Sequence, residues 1–300
     1  IGSFSVDSDN TLVDPATGFK VQRIGTYGET EGFQTPGNTS IQIPWSAAMP
    51  AQATSTVTMS GNLRSSASAT DATYHKLTSN LPFTYNSGAN VASSTTELDA
   101  LDQFTAAGAY GTISITGLQS DGSTALAAGD FTVTATSTVQ DLLDWISGKF
   151  SDATATLNSS GQIELTGDDR GYSQALITGM SYAAGGGESF TLPTFFNMTT
   201  PGGNDSKSFN ITVYDSMGEP HVVSGYLVKT DTTNAWDLVV PTIGGETGPT
   251  WSGYDITSST FNRRISGIQF NSDGSYAGLS SPTESTTIGV QFSTDRKSVV

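Results

Sequence analysis

The stretch FNITVYDSMGEPHVVSGYLVKTD, Phe209 to Asp231, is the most organised piece of this 300-residue chain. Apolar residues alternate with polar ones through Val213, stop at Asp215-Ser216-Met217-Gly218, and alternate again around His221. A period of two puts residues two apart on one face, which only a strand does. An Asp that can bond its own backbone, followed three places later by a Gly free to take positive φ, reads as a tight turn. Ile211 and Val213 on one arm, with Val223 and Leu227 on the other, then face one core. His221 becomes a strand residue just past the turn. The rival reading, His221 as an acid–base group beside Asp215, has no nucleophile motif behind it, since no Gly-x-Ser-x-Gly elbow follows a strand and opens a helix.

The same idea, a strand, an Asn/Asp/Ser/Gly cluster and a return strand, recurs at FSVDSDNTLV (Phe4 to Val13), ATLNSSGQIELT (Ala155 to Thr166) and IQFNSDGSYAGL (Ile268 to Leu279). Asn10, Gly161 and Gly274 stand where a hairpin needs positive φ. Bulk composition agrees: 35% hydrophobic, 13% charged, the rest largely small and polar, the make-up of short strands joined by many turns. The expected fold class is mainly β, with several sandwich- or barrel-like domains and an inserted α+β outer domain carrying one or two short helices.

One helix is expected over Ser137–Phe150, where Val139, Leu142, Leu143, Ile146 and Phe150 form an apolar stripe. Thr138 with Asp141 makes a capping box, and Gly148 with Lys149 suits the last turn. A shorter one is expected over Thr95–Phe104. Trp145, beside the stripe, reads as a core anchor. Pro44–Thr56, Arg64–Ala72 and Thr199–Ser208 read as connectors. The expected division is therefore 1–45 as part of an inner β domain, 46–75 with 205–300 as a discontinuous middle β domain, and 76–204 as an inserted outer domain.

Chemistry finds little footing. A formal charge of −16, from 28 acidic against 12 basic residues, repels phosphate backbones and anionic lipid, so neither nucleic acid nor membrane is an expected partner. The absence of cysteine removes disulfides, thiolate nucleophiles and zinc–sulfur sites. His75 and His221 are the only histidines and do not form a helical metal pair. Asp7-Ser-Asp9-Asn10 lacks the Gly and the bidentate acid of a calcium loop, because Leu12 and Gly18 stand at those places. Asp168-Asp169 and Asp7/Asp9 are the nearest approach to a glycosidase pair, and both sit in turn-like sequence. Ala183–Glu188, AAGGGE, has no Lys or Ser/Thr of a phosphate loop and reads as flexible linkage. No catalytic, cofactor-binding or metal-binding residue is assigned, and the chain is not expected to be an enzyme.

Against that background the motifs resemble a known family, the bacterial flagellar hook protein. GSFSVDSDNTLVDPATGFKVQ (Gly2 to Gln22) resembles the family's opening pattern of Phe, an Asp-rich turn, Leu-Val and a later Val-Gln. IPWSAAMPAQATSTVTMSGNL (Ile43 to Leu63) resembles the segment leaving its inner domain, and ITVYDSMGEPHVVSGYLVKT (Ile211 to Thr230) its Tyr-Asp-Ser hairpin. Trp236 and GIQFNSDGSYAG follow in the family's order, and 75–205 falls where hook proteins carry a variable outer domain. The resemblance implies a structural subunit whose copies form the curved tube passing motor torque to the filament. It implies partners among rod, hook cap and hook–filament junction proteins, an extracellular place in the flagellum, and type III export without a cleaved signal peptide. The family's helical termini have no counterpart here, which leads to the expectation of a monomeric fragment, with DRKSVV as a foreign tail. The other class is a secreted β-rich adhesin, phage-tail or S-layer module, with a carbohydrate face near Trp236, Trp251 and Tyr254.

Overall fold

A computed structural model describes residues 3–30, 33–43, 45, 51–106, 108–243 and 264–280. The chain divides into two compact units, Ile1–Gln52 and Ala53–Val300.

The first unit is a small irregular β arrangement. β1 (Ser5–Val6) pairs with β2 (Leu12–Val13), and single bridges join Thr11 to Gln42, Val13 to Lys20 and Gln22 to Ser40. Its large apolar side chains are poorly covered: Ile24 is 93% and Tyr27 87% exposed, and Phe19 and Trp45 also stand in solvent.

The second unit is mainly β, as composition predicts, with antiparallel sheets. In chain order its elements are β3 (Tyr74–Pro82), β4 (Thr84–Tyr85), β5 (Asn90–Val91), β6 (Phe104–Thr105), β7 (Thr112–Leu118), β8 (Phe131–Thr132), α1 (Val139–Ser147), β9 (Ala153–Leu157) and β10 (Gln162–Arg170). They continue with β11 (Leu176–Ala183), β12 (Ser189–Phe190), β13 (Phe196–Thr200), β14 (Ser206–Tyr214), β15 (Pro220–Lys229), β16 (Ala235–Ile243), β17 (Arg264–Phe270) and β18 (Tyr276–Leu279). A four-stranded sheet has the order β13-β3-β10-β9, a three-stranded one β11-β7-β8, and a five-stranded one β14-β15-β16-β17-β18. None of the described sheets closes into a barrel.

Phe209–Asp231 is the hairpin that alternation predicts. β14 and β15 run in register from Ser206↔Val228 to Tyr214↔Pro220 with Asp215–Glu219 as the turn. The turn repeats one device at four places. At each, the first residue's N–H bonds the carbonyl four residues on, and the fourth residue's N–H returns to the first residue's carbonyl. The pairs are Asp7/Thr11 with Asn10, Asn158/Gln162 with Gly161, Asp215/Glu219 with Gly218, and Asn271/Ser275 with Gly274. In the first three a side-chain oxygen of the opening residue also accepts the N–H groups two and four places on. The fourth residue has φ between 57° and 85° in all of them. A β-branched side chain is strained there, so Gly218→Val is expected to cost roughly 1–2 kcal/mol, read as a lower denaturant midpoint; an unchanged midpoint would contradict this account of the turn.

α1 forms as its stripe predicts. The Asp141 N–H donates to Thr138 Oγ1 at 3.3 Å, while the Thr138 N–H donates back to Asp141 Oδ2 at 2.8 Å. Val139, Leu142, Leu143 and Ile146 are buried and join Leu77, Phe83, Leu98, Ile113, Ile163, Leu165 and Ile177 in one core. The helix also closes the outer edge of β9, because the Ala155 N–H donates to Ser147 Oγ at 2.9 Å. An edge strand is thereby denied to other chains. Lys149 lays its ammonium against the carbonyls of Ala127, Ala128 and Gly129 and over the Trp145 ring, pinning a loop to the helix end.

Thr95–Phe104 is not a regular helix. Only Leu98–Ala100 makes one 3-10 turn, and Phe104 belongs to β6, which pairs with β12. The backbone N–H groups of that segment are taken by distant partners, Leu98 by the Ser137 carbonyl and Asp102 by that of Thr84. The Asp102 carboxylate meanwhile accepts from Ser87 and Gly88. An i→i−4 ladder cannot form when its donors are committed elsewhere.

Candidate functional site

The chain lies beside the five-stranded sheet at Thr54, which exchanges hydrogen bonds with Tyr214 at the end of β14, before it enters β3, and it returns to that sheet when it leaves β13 for β14. β13 returns beside β3, with Ser79 opposite Phe196 and Leu77 opposite Met198, so everything between them is an excursion that closes on itself. Both passages fall in stretches that read as connectors, and the structure ties them together. The Thr73 N–H donates to the Gly203 carbonyl at 2.9 Å, the Gly203 N–H to Thr73 Oγ1 at 3.1 Å, and that hydroxyl to the Pro201 carbonyl at 2.7 Å. Asp205, almost fully buried, accepts from the Ser206 N–H and the Lys207 ammonium, and lies 3.3 Å from Nε of Arg64. Arg64 holds Asp71 with its other nitrogens. The Ser68 N–H and hydroxyl, with Arg64, lower the Asp71 pKa below the usual carboxylate range.

Behind these passages lies a buried polar cluster. Asp237 on β16 and Arg264 on β17 have fully buried side chains, and Arg264 Nη1 donates to Asp237 Oδ2 at 2.7 Å. Asp237 also accepts from the Tyr172 hydroxyl at 2.6 Å and from the Gly267 N–H at 2.8 Å. Arg264 reaches the Ser173 carbonyl at 3.5 Å and lies over the Tyr172 ring. Tyr172 has its pKa raised by burial and by the Asp237 charge, so its hydroxyl remains a donor. A carboxylate with three donors and a guanidinium with a carboxylate and a carbonyl is the state in which a buried pair is tolerated.

His75 on β3 stands beside this cluster, 2% exposed. Its Nδ1 accepts the Gly202 N–H at 3.1 Å, so Nε2, 2.8 Å from the Ala175 carbonyl, carries the ring proton and donates. The ring is therefore neutral. Burial lowers its pKa to about 4, helped by the Arg264 charge.

The other residues considered from sequence lie apart. His221 is buried on β15 with Nε2 3.2 Å from Oδ2 of Asp215, whose other oxygen holds the turn. Asp168 and Asp169 are exposed at the end of β10, and Asp168 accepts the Thr154 hydroxyl at 2.7 Å. Asp7 spends its carboxylate on the backbone of its own turn. Ala183–Glu188 is not the loose linkage expected: Glu188 Oε1 and Oε2 accept the N–H groups of Gly185 and Gly186, and the Tyr182 hydroxyl donates to it as well. Trp236 is 1% exposed beneath the Lys229 ammonium and serves the core rather than an open aromatic platform. Trp251, Tyr254 and DRKSVV lie outside the described residues.

Asp237, Arg264 and Tyr172 escaped sequence reading. Their signal is a single carboxylate inside the apolar run of Ala235–Val240, on a position that alternation assigns to the interior. A buried acid needs a partner, but nothing in the sequence singles out Arg264 over Arg263 or Lys229 as that partner. The arrangement holds rather than reacts, since the Asp237 carboxylate, the Tyr172 hydroxyl and the Nη atoms of Arg264 are bonded within the protein, while Arg264 Nε is buried without a partner among the described residues. Among the described residues no group of three or more His, Asp or Glu could hold a metal ion.

Residues 185–298, which span β12 through β18, match the family described as flagellar basal body protein FlaE D2 domain. Neither the curated proteins nor the solved structures contain a match to the chain.

Proposed function

We propose, from the premise that residues 185–298 make this chain a flagellar hook structural protein, that its copies build the curved tube through which motor torque passes to the filament. The observation that carries the reading is the coincidence of that match with the sheet formed by the Phe209–Asp231 hairpin and its successors. In this reading 46–75 and 205–300 are the middle domain facing neighbouring copies, and 76–204 is an outer insertion. The insertion holds 12 acidic against 3 basic residues, a surface suited to standing in solvent at the outside of a tube without sticking to its neighbours. Residues 1–45 are part of an inner domain, and the poorly covered Phe19, Ile24 and Tyr27 mark the face that further chain would bury. The chain alone is a monomer. In the cell it is exported without a cleaved signal peptide and meets rod, cap and hook–filament junction proteins.

Gold-labelled antibody raised against residues 76–204 tests this on whole flagella. Label is expected along the short segment between basal body and filament. Label confined to the filament or to the cell envelope would contradict the proposal.

A further inference from the structure

Two chain passages between two folded parts would ordinarily make a hinge. Apolar contact alone does not prevent one, because it has no direction and tolerates sliding. Such contact exists here, where Val228, Val239 and Tyr226 of the five-stranded sheet join the core of the excursion. Directional contacts cross the junction as well: Asn204 of the outgoing passage donates to the carbonyls of Lys229 and Thr230, and deeper in lies the buried polar cluster. The Tyr172 hydroxyl, from the excursion, donates to Asp237 on the five-stranded sheet; Arg264, from the same sheet, reaches back to the Ser173 carbonyl and covers the Tyr172 ring. Ser173 bridges to Gly202 on the outgoing passage, and the Gly202 N–H is held by His75 on the incoming strand. Outgoing passage, incoming strand and sheet are thus linked through the buried side chains of His75, Asp237 and Arg264 and the half-buried Tyr172, and charge-assisted bonds lose strength steeply when misaligned.

We propose that Arg264 with Asp237 and Tyr172 is a bolt that fixes the excursion in one orientation on the five-stranded sheet, so that the two move as one body. The contacts carry this inference whatever the protein builds. If the chain is a hook subunit, a reading on which this consequence rests, the outer insertion follows the middle domain through each bend and the compliance of the tube lies elsewhere.

The chain has no cysteine, so two introduced ones are unique labelling sites on the full 300-residue protein. Gln140 on α1 and Thr212 on β14 are both exposed. Nitroxides at Gln140→Cys and Thr212→Cys report the distance across the junction by pulsed dipolar spectroscopy. A single narrow distribution is expected. In a background of Asp237→Leu with Arg264→Met, which exchanges the pair for apolar side chains, its width is expected to roughly double while the circular dichroism of the folded chain is kept. Should that background fail to fold, Tyr172→Phe decides, removing one hydroxyl and keeping the ring, with measurable broadening expected. A broad distribution in the unaltered protein overturns the proposal. So does a width unchanged in the folded double variant or, where that variant does not fold, in Tyr172→Phe. Neither result bears on whether the protein belongs to the hook.

Discussion

Asp237→Ala is expected to destabilise the second unit by about 3–5 kcal/mol. The substitution strands Arg264, whose side chain is fully buried, and leaves the Tyr172 hydroxyl and the Gly267 N–H without their acceptor. A buried charge without a partner is among the few ways one substitution removes most of a domain's stability. Asp237→Leu combined with Arg264→Met removes both charges and is expected to fall much closer to the unaltered protein. Denaturant unfolding of the two variants side by side separates the cases. Equal losses would mean that lost packing, not the stranded charge, sets the cost.

Acidification is expected to weaken the same junction. In the unfolded chain His75 takes up a proton near its ordinary 6.5; in the fold burial and Arg264 delay that to about 4. Between those values the unfolded state holds the extra proton, so stability is complete above about pH 6.5 and declines as pH falls through the window, by roughly 3 kcal/mol in all. Besides Arg264, Asp152 acts on the ring and opposes the shift. Asp71 and Asp121, both lowered to about 2, add their losses below the window. Unfolding midpoints measured from pH 7.5 to pH 4 should show this slope, and a His75→Leu variant should lack most of it. A slope unchanged in that variant would assign the acid sensitivity to other groups.

Much of this fold was legible because its information is local. Four turns announce themselves by an Asx residue and a Gly or Asn three places on, and the alternation on either side sets which residues face inward. α1 shows both its stripe and its capping box. The Thr95–Phe104 segment misled for a physical reason: its spacing imitates a helix, while its amides are claimed by residues far along the chain. The connectors were legible as connectors but not as a tied neck, since small polar residues suit either, and Arg64 meeting Asp205 is a tertiary fact. His75 and the Asp237–Arg264 pair could be suspected only as buried charge and buried imidazole in need of partners. Their meeting depends on β13 returning beside β3, and pattern does not reveal that.

The central claim is that this protein is a structural part of the flagellar hook, and deleting its gene tests that most directly. Electron microscopy of the deletion strain should show basal bodies that bear neither hook nor filament, with both restored by the intact gene. Cells that keep normal hooks and filaments without the gene would contradict the account.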